Sequence, residues 1–118
     1  MLFDTLRKIV EETPGTTGAI LMGFDGIAVM QHLAPGHEVD IESIAMEFSF
    51  RFIELRKAAA ALDMGEVSDI TVKAENRTVL CRVLSEEYFV AVVLHDPAYF
   101  GKGRWMLRST AHELTSEL

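Results

Sequence analysis

The amino-acid sequence predicts an α+β domain, in which a five-stranded, mainly antiparallel sheet lies between one long central helix and two terminal helices. Three observations support this prediction. Amphipathic segments occupy both ends of the chain, short apolar strands are joined by hairpin turns, and a long segment with helical periodicity interrupts the strands. A length of 118 residues is typical of one domain, so we expect a single domain over residues 1–118.

The chain begins with a predicted amphipathic helix and an apolar hairpin. In LFDTLRKIVEE, the side chains of Leu2, Leu6 and Ile9 share one helical face, and the Pro14-Gly15 pair ends the segment. The stretch GAILMGFDGIAVMQH contains two strands, and the Asp25-Gly26 pair is expected to supply the positive φ angles of a tight turn. Both faces of this hairpin are apolar. We therefore expect helices on both sides of the sheet.

The central segment, DIESIAMEFSFRFIELRKAAAALDMG, predicts a long helix with two apolar stripes. The broader stripe consists of Ile41, Ile44, Ala45, Phe48, Phe52, Leu55, Ala59 and Leu62. The second stripe, roughly 120 to 160° away around the helix, consists of Met46, Phe50, Ile53 and Ala60. Both stripes could lie in the core of one monomer. Because a domain of this size has few elements left to cover a second face, we favour a dimer interface on the second stripe.

Three further strands and a helix complete the predicted fold. The segment VSDITVKA alternates, with Ile70 and Val72 on one face, as is typical of a half-exposed edge strand. An exposed edge strand tends to pair, so we expect Ile70 and Val72 to belong to the dimer interface. The segment EEYFVAVVL is apolar on both faces, as expected of a central strand. The final helix aligns four apolar residues, Leu107, Ala111, Leu114 and Leu118.

Composition argues against several classes of function. The formal net charge of −7 disfavours binding to nucleic acid or to an anionic membrane. The single cysteine, Cys81, cannot form an internal disulfide, and the N-terminal segment lacks the pattern of a secretion signal, so we expect a cytoplasmic protein. The longest strongly apolar run, residues 88–94, is far shorter than the roughly 20 residues that span a bilayer, so we expect no membrane insertion.

No group of residues in the sequence has the pattern of an active site. Four histidines, His32, His37, His95 and His112, lie on separate predicted elements without the spacing of metal ligands, so no metal or cofactor is expected. Cys81 lies within an apolar strand, where a thiol behaves as a small hydrophobic group. We therefore expect a protein without a catalytic site of its own.

The order of these elements resembles the roadblock family over essentially the whole chain. The resemblance is carried by the hairpin GAILMGFDGIAVMQH, by AAALDMGEVSDITVKAENRTVLCRVLSEEYFVAVVL and by the final GKGRWMLRSTAHELTSEL. It implies a five-stranded sheet with the central helix on one face and the terminal helices on the other. It also implies dimers in which the central helices pack together and edge strands join. Members of this family serve as platforms for Ras-like small GTPases, and some bacterial members promote GTP hydrolysis.

We therefore expect a dimeric regulator or scaffold that binds a Ras-like small GTPase, as a homodimer or with a paralogue. Contacts to the GTPase are expected from Glu42, Glu47 and Glu54, with Arg51 beside them. Arg51 and Arg56 are the cations of the central helix that could enter a GTPase active site. Pairing with Glu47, with Glu54 or with a residue of a dimer mate is the more common role of such residues, so we expect any stimulation of hydrolysis to be indirect. The alternatives are a small-ligand sensor module and a scaffold subunit that binds no GTPase.

Overall fold

A computed structural model describes residues 1–118 as three α-helices around one antiparallel sheet of five strands. The elements in chain order are α1 (Leu2–Glu12), β1 (Thr16–Gly23), β2 (Ala28–Leu33), α2 (Ile41–Ala61), β3 (Asp69–Lys73), β4 (Thr78–Val83), β5 (Tyr88–Leu94) and α3 (Phe100–Ser116). A short 3₁₀ turn, Pro97–Tyr99, leads into α3. The strand order is β2-β1-β5-β4-β3, and every neighbouring pair is antiparallel. The predicted α+β architecture is confirmed.

The helices form two layers on opposite faces of the sheet. On one face, α1 and α3 pack with the strands into a cluster of 12 buried residues. On the other face, α2 alone packs with the strands into a cluster of 11. Strand β1 is buried along its whole length, and β5 is buried after its first residue. Covering helices on both faces explain why the sequence of β1 is apolar on both sides.

The second strand of the hairpin differs from the prediction. In β2, Val29 and Gln31 are exposed and the other side chains are only partly buried, and Ile27, in the turn before the strand, is also exposed. In the turn, Gly26 has a φ of +84° while Asp25 does not adopt a positive φ. The Asp25 carboxylate instead accepts a hydrogen bond from the backbone N–H of Ile27, at 3.0 Å. The turn therefore needs one glycine and one side-chain acceptor, rather than two residues with positive φ.

Helix α3 is rotated slightly relative to the predicted apolar line. Met106, Leu107 and Leu114 are buried, whereas Ala111 is only partly covered and Leu118 is exposed. Gly103 brings the start of α3 close to β4, since a Cβ added there would lie 2.9 Å from Cδ1 of Leu80. A side chain at position 103 would therefore push the start of α3 away from the sheet.

Helix α2 begins at a side-chain cap and ends in a left-handed turn. The Asp40 carboxylate accepts hydrogen bonds from the hydroxyl of Ser43 at 2.7 Å and from its backbone N–H at 3.1 Å. Both bonds stabilise the charged form and hold the pKa of Asp40 below its usual value. Beyond the helix, Asp63 and Gly65 have φ angles of +56° and +84°. These residues redirect the chain from α2 toward β3.

Candidate partner-binding surfaces

Three aromatic rings fix α2 against the sheet. The ring centroid of Phe52 lies 5.3 Å from that of Phe24 and 5.8 Å from that of Phe89, and both contacts are edge-to-face. The guanidinium of Arg56 stacks over Phe24, with its Cζ 4.5 Å from the ring centroid. It also donates to the carbonyl oxygen of Glu86 at 3.5 Å. Arg56 is therefore part of the packing between α2 and the sheet.

The predicted second stripe forms one side of α2, which we call the turn-side flank (Met46, Phe50, Ile53 and Ala60). Met46 lies beside the β1–β2 turn, because a Cβ added at Gly26 would be 3.6 Å from its Cγ. Ile53 packs on the core, and Ala60 lines an open cleft of about 900 Å³ between α2 and residues 83–86 at the β4–β5 turn. Met46 and Phe50 are 38% and 45% exposed. This flank therefore faces the end of the sheet that carries the two turns.

The opposite side of α2, the edge-side flank, consists of Ile44, Leu55 and Leu62. These residues lie about 160 to 180° around the helix from Met46 and Ile53, at 100° per residue. Ile44 packs against the core, but Leu55 is 49% exposed and Leu62 is also exposed. Leu55 and Leu62 were predicted to lie on the buried stripe. The prediction is wrong for these two because a single helix can turn only part of its circumference toward a sheet.

Strand β3 supplies the remaining predicted interface residues. Ile70 pairs with Cys81, and Val72 pairs with Val79, across the β3–β4 ladder. Since Cys81 and Val79 belong to the cluster under α2, both β3 side chains lie on the α2 side of the sheet. Val72 is 36% exposed. Met46 lies beside the β1–β2 turn, at the β2 edge of the sheet, whereas β3 forms the opposite edge.

The outer face of α2 carries three of the four predicted partner-binding residues. Arg51 lies between Glu47, at 3.8 Å, and Glu54, at 3.7 Å, and all three side chains are exposed. Glu42 lies about 140° around the helix from Glu47, at 100° per residue, and does not join this group. We call Glu47, Arg51 and Glu54 the acidic ridge. As the sequence spacing predicts, Arg51 is an ion-paired surface cation.

Two histidines and the single cysteine lie outside these surfaces. His37 and His95 were placed on separate elements, but their rings stack with centroids 4.5 Å apart. Thr17 shares a hydrogen bond of 3.2 Å with Nδ1 of His95. No sequence spacing could indicate this contact, because His37 and His95 come together only through the sheet order. Cys81 is 3% exposed, and burial raises its pKa to about 12, so the thiol is a packing group as predicted.

Solved structures similar to this chain share its fold. MglC from Myxococcus xanthus is 35% identical, with all of both chains covered and a TM-score of 0.72. An MglB structure with a tetrameric arrangement is 16% identical, covers 98% of this chain and 85% of its own, and has a TM-score of 0.87. A Roadblock/LC7 domain from Streptomyces avermitilis is 22% identical, with 93% and 94% of the two chains covered and a TM-score of 0.72. No protein-family model and no curated protein sequence matches the chain.

Proposed function

Because this chain belongs to the roadblock family, we propose that it acts as a dimeric regulator or scaffold that binds a Ras-like small GTPase. The resemblance identified from the sequence implies both properties. The main support for the proposal is the exposed apolar surface of α2. Leu55 and Leu62 are 49% and 70% exposed, although α2 is the only helix on its face of the sheet. Exposed apolar area of this kind is typical of a surface that a partner covers.

We place the contact between two copies at β3 and at the edge-side flank of α2. One side of β3 is unpaired, because the strand lies at the end of the sheet. Unpaired strand edges favour association with a second edge. Val72 of β3 and Leu55 of α2 both expose apolar surface on the α2 face of the sheet. A twofold axis beside β3 would bring the same residues of two copies together, and a paralogue could use the same surface.

The acidic ridge is the proposed contact with the GTPase. Its two carboxylates and one guanidinium give it a net negative charge, which suits a basic patch on a partner. Neither arginine of α2 projects as an unpaired cation, since Arg51 lies between carboxylates and Arg56 stacks on Phe24. We therefore propose that any stimulation of hydrolysis comes from ordering the catalytic groups of the GTPase itself.

Single-turnover GTP hydrolysis by purified Ras-like GTPases of the same organism tests this function. We expect a complex in which Glu54→Lys slows association, whereas Glu113→Lys, an equal charge reversal on α3, leaves it unchanged. Arg51→Ala should keep most of any stimulation, because removal of an inserted arginine costs on the order of 10³ in rate. Failure of every GTPase to bind would refute the function. A collapse to the intrinsic rate in Arg51→Ala, with binding retained, would refute the indirect mechanism.

A further inference from the structure

A groove on the face of the sheet opposite α2 collects positive charge. It has a volume of about 330 Å³ and lies between α3 and the neighbouring strands β3 and β4. Its walls are formed by Arg82, Arg104, Arg108, Phe100 and Trp105, and Asp69 is the only acidic residue among them. We call this surface the basic groove. It shares no residue with the acidic ridge or with the edge-side flank of α2.

The charge of the groove is opposite to that of the chain as a whole. The chain has a formal net charge of −7, yet residues 97–112 contain Lys102, Arg104 and Arg108 and no acidic residue. Arg82 of β4 adds a fourth cation from a distant part of the sequence. Since like charges repel one another, grouping these side chains disfavours folding unless something negative approaches them.

The groove has more hydrogen-bond donors than acceptors. Asp69 is the only carboxylate that pairs with these arginines. Its Oδ2 lies 3.9 Å from Nη1 of Arg82 and 3.5 Å from Nη2 of Arg104. Nε of Arg82 is buried and has no hydrogen-bond partner. Arg108 makes no ion pair. Because the planar guanidinium group binds anionic oxygens in a bidentate manner, the unpaired guanidinium of Arg108 beside Arg104 points to an anionic partner.

Aromatic rings lie among these cations. Trp105 is 53% exposed, and Nζ of Lys102 lies 5.0 Å from its ring centroid. Nζ of Lys73 lies 4.0 Å from the ring centroid of Phe100. Exposed tryptophan beside arginine is the composition enriched at the energetic centres of protein interfaces. The groove therefore offers apolar contact as well as charge.

We propose that the basic groove binds a short acidic segment of a partner protein. Carboxylates of that segment pair with Arg104 and Arg108, and an apolar side chain packs on Trp105. A short segment is favoured over nucleic acid or a membrane surface, because an extended polyanion would also meet the net negative charge of the rest of the chain. This site lies across the sheet from the proposed GTPase contact and does not depend on it.

Trp105 is the only tryptophan of the chain, so its fluorescence reports directly on the groove. The probe is a synthetic peptide of repeated Glu-Gly-Asp-Leu units, with a Gln-Gly-Asn-Leu peptide as the uncharged control. We expect a saturable change in Trp105 emission with the acidic peptide only, weakened by added salt. Arg104→Glu and Arg108→Glu should each reduce affinity by at least about 10-fold. Lys57→Glu, an equal charge reversal on α2, should leave it unchanged.

Four outcomes would overturn the proposal. The first three are no saturable change in Trp105 emission, equal affinity for the uncharged peptide, and an equal loss of peptide affinity in Lys57→Glu. The fourth is tighter binding to phosphatidylserine vesicles than to the acidic peptide, measured by sedimentation and abolished by Arg104→Glu. A second copy of this chain is excluded as the occupant when light scattering gives the same mass for wild type and Arg104→Glu. Circular dichroism establishes that each variant is folded, and Arg108→Glu provides an independent test if Arg104→Glu is not.

Discussion

The two faces of the sheet have cores of nearly equal size but differ in how they are covered. The cluster under α1 and α3 contains 12 buried residues, and the cluster under α2 contains 11. Two helices, α1 and α3, cover the first cluster, whereas α2 alone covers the second. The exposed surfaces differ accordingly: α2 exposes apolar residues such as Phe50 and Leu55, whereas α3 exposes arginines around Trp105.

On the basis of this difference we propose two kinds of partner, one on each side of the domain. A single helix over a sheet leaves apolar flanks, which suit a large and permanent contact such as a second copy. On the other face α1 and α3 cover the sheet together, and the groove beside α3 combines the exposed ring of Trp105 with several arginines. Charged rims mainly govern the rate and salt dependence of association. Self-association is therefore expected on the α2 side and a reversible contact on the α3 side.

The largest expected effect comes from the ring that holds α2 in place. Phe52 packs edge-to-face on Phe24 and Phe89, and no second helix supports that face. Phe52→Ala should lower the free energy of unfolding by about 3 to 5 kcal/mol. Leu114→Ala, in the core shared by α1 and α3, removes a smaller buried side chain and should lower the free energy of unfolding by less. Urea unfolding measures the free energy of both variants. An equal or larger loss in Leu114→Ala would show that the contacts of Phe52 are not the main attachment of a helix to this sheet.

A smaller effect is expected for a charge on the edge-side flank of α2. Leu55→Glu should shift the protein to monomers, because an unpaired charge in an apolar interface costs several kcal/mol. Phe50→Glu, on the turn-side flank, serves as the matched variant and should remain dimeric. Light scattering over a range of protein concentrations distinguishes the two. Monomers only in Phe50→Glu would support the second stripe, as first predicted, and a monomeric wild type would refute the dimer.

The elements of the fold were predictable because their signals are local. Apolar periodicity and turn residues identified all three helices and five strands, and the spacing of Glu47, Arg51 and Glu54 correctly indicated intrahelical ion pairs. Burial was predicted less well. Periodicity gives the angle between two residues on α2 but not the direction in which the helix crosses the sheet. For that reason Leu55 was assigned to the core.

The surfaces built from distant segments could not be predicted in this way. Arg82 lies on β4 and Arg104 on α3, and only the sheet order brings both to Asp69. The stacking of His37 on His95 has the same origin. A net charge calculated over the whole chain also conceals a local excess of the opposite sign. The basic groove is therefore visible only in the folded structure.

The smallest expected effect is a pH dependence of the free energy of unfolding that arises from the core under α2 and not from the core under α1 and α3. Cys81 is the only titratable residue in either buried cluster, and it lies on the α2 side. Burial raises its pKa from 9.0 to about 12. Because the folded state disfavours the thiolate, the stability associated with the neutral thiol is complete below pH 9 and is lost as the pH rises toward 12. Between pH 8 and pH 10 the free energy of unfolding should fall by an amount on the order of 1 kcal/mol. Cys81→Ala removes this titration alone, so wild type should lose that amount relative to the variant in urea unfolding at the two pH values. A constant difference between the two proteins would show that the thiol is accessible to water in the folded state, and that the single helix α2 does not seal its core.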